Sequence, residues 1–204
     1  MIAAREALEL LLDGNRRFVA ERQRDARVGA TRRNELTERQ EPFAIILGCS
    51  DSRVPAEIVF DQGLGDLFVI RVAGNIVAPS QIGSVEFAAE QFKTRLVVVL
   101  GHSSCGAILA TLEELARPVR DQSTNLKSIV DRIRPSVEPL LETAHGRDQE
   151  ELVRRAVRAN IRVSANHLRH GSQVLENLIQ NHGLLVVGAE YDLESGEVDF
   201  FDGV

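Results

Sequence analysis

Four short apolar runs punctuate the chain: Phe43-Ala44-Ile45-Ile46-Leu47, Leu67-Phe68-Val69-Ile70, Leu96-Val97-Val98-Val99-Leu100 and Leu184-Leu185-Val186-Val187. Unbroken runs of this length, rich in β-branched residues, predict strands buried on both faces of a parallel sheet. Between them, apolar residues recur at three- and four-residue steps. Ala4, Leu8, Leu11 and Leu12, resumed by Phe18 and Val19, predict a helix over 2–20. A short polar helix over 31–39 precedes Pro42, and Pro55 opens another over 55–61. Further helices are expected over 80–92 with Ser80 as N-cap, from Cys105 to about 116, over 150–168, and over 172–180 up to Asn181-His182-Gly183. The helical pattern over 126–141 holds Pro135 and Pro139, which should kink or break it. Turns are expected at 63–66 and at Ala73-Gly74-Asn75. Loops are expected over 25–30, over 117–123 around Pro118, and at Thr143-Ala144-His145-Gly146. The end, 191–201, reads as a hairpin turning at Ser195-Gly196.

Strands alternating with helices predict an α/β fold: a central, mostly parallel four-stranded sheet flanked by helices, with a C-terminal edge strand. Residues 1–204 are read as one domain. An N-terminal helical arm of about 1–40 is expected to pack on a partner subunit.

Composition narrows the function classes. The chain of 204 residues carries a net charge of −6, against the basic footprint of a nucleic-acid binder. Its apolar share of 44% is that of a soluble globular protein. No run approaches a membrane span, and no signal-peptide pattern is read at the start, so a cytoplasmic protein is expected. Two cysteines are too few for a disulfide scaffold and point instead to a metal or to catalysis.

Both cysteines stand in loops that follow buried runs, Gly48-Cys49-Ser50-Asp51-Ser52-Arg53 and Gly101-His102-Ser103-Ser104-Cys105-Gly106. If the two runs are neighbours in a parallel sheet, both loops open at one edge, where such sheets hold ligands. Cys49, His102 and Cys105 then offer sulfur, nitrogen and sulfur, a zinc-type donor set with one corner left over. Cys105 is placed at a helix N-terminus, which favours its thiolate. Asp51 is close enough in sequence to reach the metal or a water on it, and the guanidinium fork of Arg53 could hold that carboxylate instead. Moving between the two, Asp51 would act as a gate. Buried hydrophobic cysteines and a structural Asp51–Arg53 pair are the plain alternative.

The two loops resemble the signature loops of the β-class carbonic anhydrases, and the resemblance extends through residues 61–71 and Ala73-Gly74-Asn75. It implies reversible hydration of CO2 to bicarbonate by a hydroxide on Zn2+ held by Cys49, His102 and Cys105, with Asp51 and Arg53 as the catalytic dyad. It also implies substrate contacts from Gln40, as in the plant-like subtype, and from Phe68, Ala73, Phe87 and the Gly106 N–H. A homodimer or homotetramer with sites at the dimer interface is implied too. Arg71 and Tyr191 fall at two positions of a second, inhibitory bicarbonate site known in one subtype. Ile46 stands at its tryptophan position and the chain has no Trp, so that site is not expected. Rival readings are hydrolysis of CS2 or COS on the same fold, a thiol-redox protein, and a zinc-stabilised module without catalysis. Apart from His102, the histidines His145, His167, His170 and His182 are expected at the surface or at helix ends.

Overall fold

The apolar runs become strands of one sheet. The computed structural model describes residues 2–24, 28–116, 123–142 and 148–204. In it β1 (Ala44–Gly48), β2 (Leu67–Arg71), β3 (Leu96–His102) and β4 (Leu185–Tyr191) run parallel, and β5 (Val198–Asp202) pairs antiparallel with β4. The order is β2-β1-β3-β4-β5. From β1 the chain winds to one side to form β2, then crosses back to form β3 on the other side. Where winding reverses, the loops at the carboxyl ends of the two strands part and leave a crevice. Gly48 pairs with Leu100, so Cys49 and the Gly101-His102 dipeptide emerge side by side at that crevice.

The period of two along a strand sorts the core into two layers. Ile45, Leu47, Val97 and Val99 face one layer, covered by α4 (Pro79–Gln91), α5 (Gly106–Ala116), α6 (Thr124–Glu142), α7 (Gln149–His170) and α8 (Gln173–His182). Ala44, Ile46, Val98 and Leu100 face the other, covered by α1 (Ala4–Val19) and α3 (Ala56–Val59). A short α2 (Ala30–Glu35) buries nothing.

Several expectations change. Proline, not serine, opens α4: Pro79 occupies its first turn, where a missing N–H costs nothing, and the cap residue is Ala78. The Ser80 hydroxyl bonds Gln81 instead. Helix α6 runs unbroken through Pro135 and Pro139. Its buried stripe of Val130, Ile133 and Val137 holds it against the core, which outweighs two lost backbone bonds. The strands β3 and β4 reach further than their apolar runs, so His102 is itself a strand residue. The N-terminal helix lays Ala7, Leu8 and Leu11 on its own sheet, and Leu10 and Val19 face outward, where a partner could meet them. Of the loop expected at 25–30, residues 25–27 lie outside the described residues and Ala30 already belongs to α2; the loop at 117–123, but for Ser123, and the one at 143–146 with His145 also lie outside them. His167, His170 and His182 are exposed in the last turns of α7 and α8, as expected.

One buried side chain ties α1 to α3 and to the C-terminal hairpin. Asn15 Nδ2 donates to the carbonyls of Val59 and Gly196, and its Oδ1 accepts from the Val198 N–H at 2.9 Å. Neighbouring Gly14 lets the helix approach that closely, because a Cβ there would lie 1.8 Å from the Phe60 carbonyl oxygen. Replacing Asn15 by leucine strands two acceptors and one donor. At 1–3 kcal/mol for each group left unsatisfied, Asn15→Leu should cost about 3 kcal/mol or more. Urea denaturation should show this as a lower midpoint at unchanged slope; an unmoved midpoint would refute the role.

Candidate metal centre

Backbone pairing continues past β1 and β2 into the first loop. Val72 donates to the Gly48 carbonyl, and Ser50 donates back to the Val72 carbonyl. The Arg71 guanidinium reaches over from β2, giving Nε to the Cys49 carbonyl at 3.0 Å and Nη2 to the Asp51 carbonyl at 2.6 Å. Arg71 thus braces the loop, a role its sequence position did not reveal. The second loop is tied to β4, since Ser103 donates its N–H to the Tyr191 carbonyl and accepts from Leu193 on its hydroxyl. Ser104, at φ 54°, turns the chain in the left-handed region so that Cys105 can open α5.

These constraints bring three buried donors together. The Cys49 and Cys105 sulfurs and a His102 ring nitrogen all lie within 4.8 Å of one another. His102 Nδ1 sits 2.9 Å from the Ser103 carbonyl, which can only accept, so Nδ1 carries the hydrogen. Nε2 is therefore left as a lone pair, wholly buried and without a hydrogen-bond partner. A buried polar atom so placed, beside two sulfurs, fits a metal ion that it would ligate. Ligands of a tetrahedral zinc stand roughly 3.5–3.8 Å apart by its bond lengths, a spacing within the separation found.

Charge at the group follows from the same contacts. The Cys105 thiol donates to Cys49 and pulls the Cys49 thiol far below its usual range; burial opposes this, and the N–H groups of Asp51 and Gly74 assist. Cys105 is pushed up in turn by that shared proton and by burial, although the Ala107 and Ile108 amides at the α5 N-terminus act against the rise. A dication between the sulfurs would displace the shared proton.

Asp51 lies at the rim. Its carboxylate takes Arg53 Nε at 2.9 Å and Nη2 at 2.8 Å, plus the Arg53 N–H at 3.0 Å. The Arg53 side chain holds the Asp51 carboxyl well below the usual carboxylate range, against a desolvation penalty. Asp51 Oδ2 is nevertheless only 3.8 Å from His102 Nε2. Of the two positions its spacing allows, the carboxylate occupies the arginine.

The remaining sequence-predicted residues divide. Ala73 and Gly106 flank the donors, one beside Gly74 and the other directly after Cys105. Gln40, Phe68 and Phe87 gather elsewhere. Phe68 pairs with Ile45, towards the far end of β2 from Arg71. Its ring contacts Phe87 on α4 at 6.3 Å and Phe92 at 6.0 Å. Exposed Gln40, ahead of β1, shares a surface pocket with Phe92 and Phe43. Sequence reasoning missed Phe92, whose signal was only its place at the end of the helix expected over 80–92. Arg71 is committed to loop carbonyls and Ile46 is fully buried.

The family model described as carbonic anhydrase matches residues 44–198, from the start of β1 to the start of β5. A carbonic anhydrase of Mycolicibacterium smegmatis is 48% identical over 131 residues, covering 64% of this chain and 63% of that protein. Carbonic anhydrase 2 of Mycobacterium tuberculosis is 37% identical over 199 residues, covering 97% of this chain and 93% of that one. Among solved structures, a β-carbonic anhydrase of Aspergillus fumigatus superposes with a TM-score of 0.75 at 28% identity, covering 84% of this chain and 80% of the other. Sheet order, the sulfur–nitrogen–sulfur crevice and a likeness spanning nearly the whole chain agree, and the chain belongs to the β-carbonic anhydrase family.

Proposed function

We propose that this protein catalyses the reversible hydration of CO2 to bicarbonate and a proton, at a zinc ion held by Cys49, His102 and Cys105. The observation that carries the reading is the wholly buried, unpartnered His102 Nε2 set between two sulfurs. Zinc, when bound, supplies a Lewis acid that makes water a usable nucleophile near neutral pH. The protein's own groups do the rest. Asp51, oriented by Arg53, offers a carboxylate oxygen to accept a hydrogen bond from the attacking water and to govern access to the centre. The Gly106 N–H, at the start of α5, is suited to a substrate oxygen.

Gln40, Phe68 and Phe87 lie away from Cys49 in a single chain, so their expected role in lining the substrate pocket requires a second copy to present them. That favours a homodimer, or a homotetramer built as a dimer of dimers, with sites completed across the interface. The 204 residues act as one domain in this reading. Among the described residues no helix is long and apolar enough to cross a membrane, and we place the protein in the cytoplasm.

Stopped-flow CO2 hydration measured alongside zinc content tests the assignment. About one zinc per chain is expected, with activity lost on chelation and restored by zinc. Two anionic sulfurs leave the ion a weaker acid than neutral imidazoles would, so activity should climb towards alkaline pH. Zinc-replete protein without hydration at any pH would overturn the assignment, and turnover of CS2 or COS alone would move it to those substrates.

A further inference from the structure

Helix α7 lies outside the stretches that carry the resemblance, yet it reaches the metal centre through one side chain. Asn160 is 1% exposed, and its Nδ2 donates to the Gly74 carbonyl at 2.8 Å, across 86 residues of sequence. The N–H of the same Gly74 donates to the Cys49 sulfur at 3.4 Å. We propose that Asn160 is a positioning residue for the metal centre: by fixing the Gly74 turn it keeps the Gly74 N–H on the Cys49 sulfur. The proposal rests on Cys49 being a metal ligand.

The turn needs an external hold. Gly74 at φ 69° and Asn75 at φ 42° are successive left-handed residues; Gly74 takes that conformation freely, whereas Asn75 holds it at a cost that its surroundings must meet. Glycine is required at 74, because a Cβ there would lie 2.8 Å from Ile133 Cδ1 on α6 and 3.1 Å from the Ala107 Cβ on α5. A Cβ at Gly101, beside the ligand His102, would likewise strike Ile161, the residue after Asn160, at 2.6 Å. Helices α6 and α7 therefore close directly on the backbone that carries the donors.

Without the Asn160 amide the Gly74 carbonyl would be buried and unpaired. The freest residue in the turn would then rotate to find it a partner, and its N–H would leave the sulfur. An N–H on a thiolate draws charge from the sulfur and fixes its orientation. Losing it leaves a less well-aimed ligand that is easier to oxidise. Groups that orient metal ligands typically change metal affinity by about 10–100-fold when removed.

The test uses zinc-loaded and cobalt-substituted protein with Asn160→Leu, which keeps volume but not the donor. Asn160→Ser, whose hydroxyl is too short to reach, decides the matter if the leucine variant does not fold. Ser164→Ala, buried one turn further along α7, serves as the packing control. Zinc release to a chromophoric chelator should be about tenfold faster in the Asn160 variants, and close to wild type in the control. The sulfur-to-cobalt charge-transfer band should move to longer wavelength in the Asn160 variants alone. A folded Asn160 variant with unchanged release and an unmoved band would overturn the proposal. So would faster release in all variants in proportion to their loss of thermal stability. Wild-type protein that holds no metal would instead overturn the reading of Cys49 as a ligand.

Discussion

Cys105→Ala is expected to lose bound zinc and, with it, CO2 hydration. Cys105 is 1% exposed and holds its sulfur at the N-terminus of α5, where the Ala107 and Ile108 amides converge on it. Removing it leaves Cys49 and His102, one donor short of the three that hold a catalytic zinc. Zinc content should fall from about one per chain to near zero. Activity should fall at least about a thousandfold, because a Lewis acid contributes several kcal/mol and each 1.36 kcal/mol is tenfold in rate. The fold should survive: the substitution removes one small side chain, and a lost cap costs about 1 kcal/mol. A second measurement separates metal loss from damage. Bound metal stabilises the native state by mass action, so chelator should lower the melting temperature of the wild type and leave that of the variant unmoved. Retained stoichiometric zinc in Cys105→Ala would refute the ligand assignment.

Most of the scaffold behind that experiment was legible in the sequence. Runs such as Val97-Val98-Val99 can only be strands with both faces covered, and two of them ending in loops that carry all the cysteine already place a site. What escaped was set by distant contacts. Asn160 and Arg71 look like any polar residues on a helix and a strand end, since nothing local states that a carbonyl far along the chain awaits each of them. His102 was read as a loop residue because glycine and histidine are not strand formers, yet its pairing with Tyr191 on β4 extends the strand through it. Pro135 and Pro139 misled for the converse reason. Their local cost is real, but Ile133 and Val137 are fully buried beneath them. Gln40 and Phe87 were recognisable by resemblance alone, and the grouping of those two around Phe92, apart from the cysteines, is not written in either neighbourhood.

Arg53→Ala should keep its zinc and lose most of its activity. Arg53 touches none of the three donors, so their geometry should stand. It does, however, make both side-chain hydrogen bonds that hold the Asp51 carboxylate. Released, the carboxylate has the His102 nitrogen only 3.8 Å away and is free to settle on the cation as a fourth ligand. Blocking access and misaligning an acceptor together should cost about a hundredfold or more in kcat/KM, the lower end of what positioned proton acceptors contribute. The pH dependence carries a sign. The ion pair depresses the folded-state Asp51 carboxyl, so its stabilising contribution is complete above the unfolded value of about 3.9 and is lost only as pH falls through the lower folded value. Wild type should therefore be more stable than Arg53→Ala at and above about pH 4, and that margin should shrink as the pH falls further. Between neutral and alkaline pH the carboxylate is ionised in both proteins, and the activity deficit should be constant there. Arg53→Lys should recover only part of it, because an ammonium supplies the charge without the two-pronged fork. Full activity in Arg53→Ala with zinc retained would dismiss the gate and leave Asp51–Arg53 a structural pair.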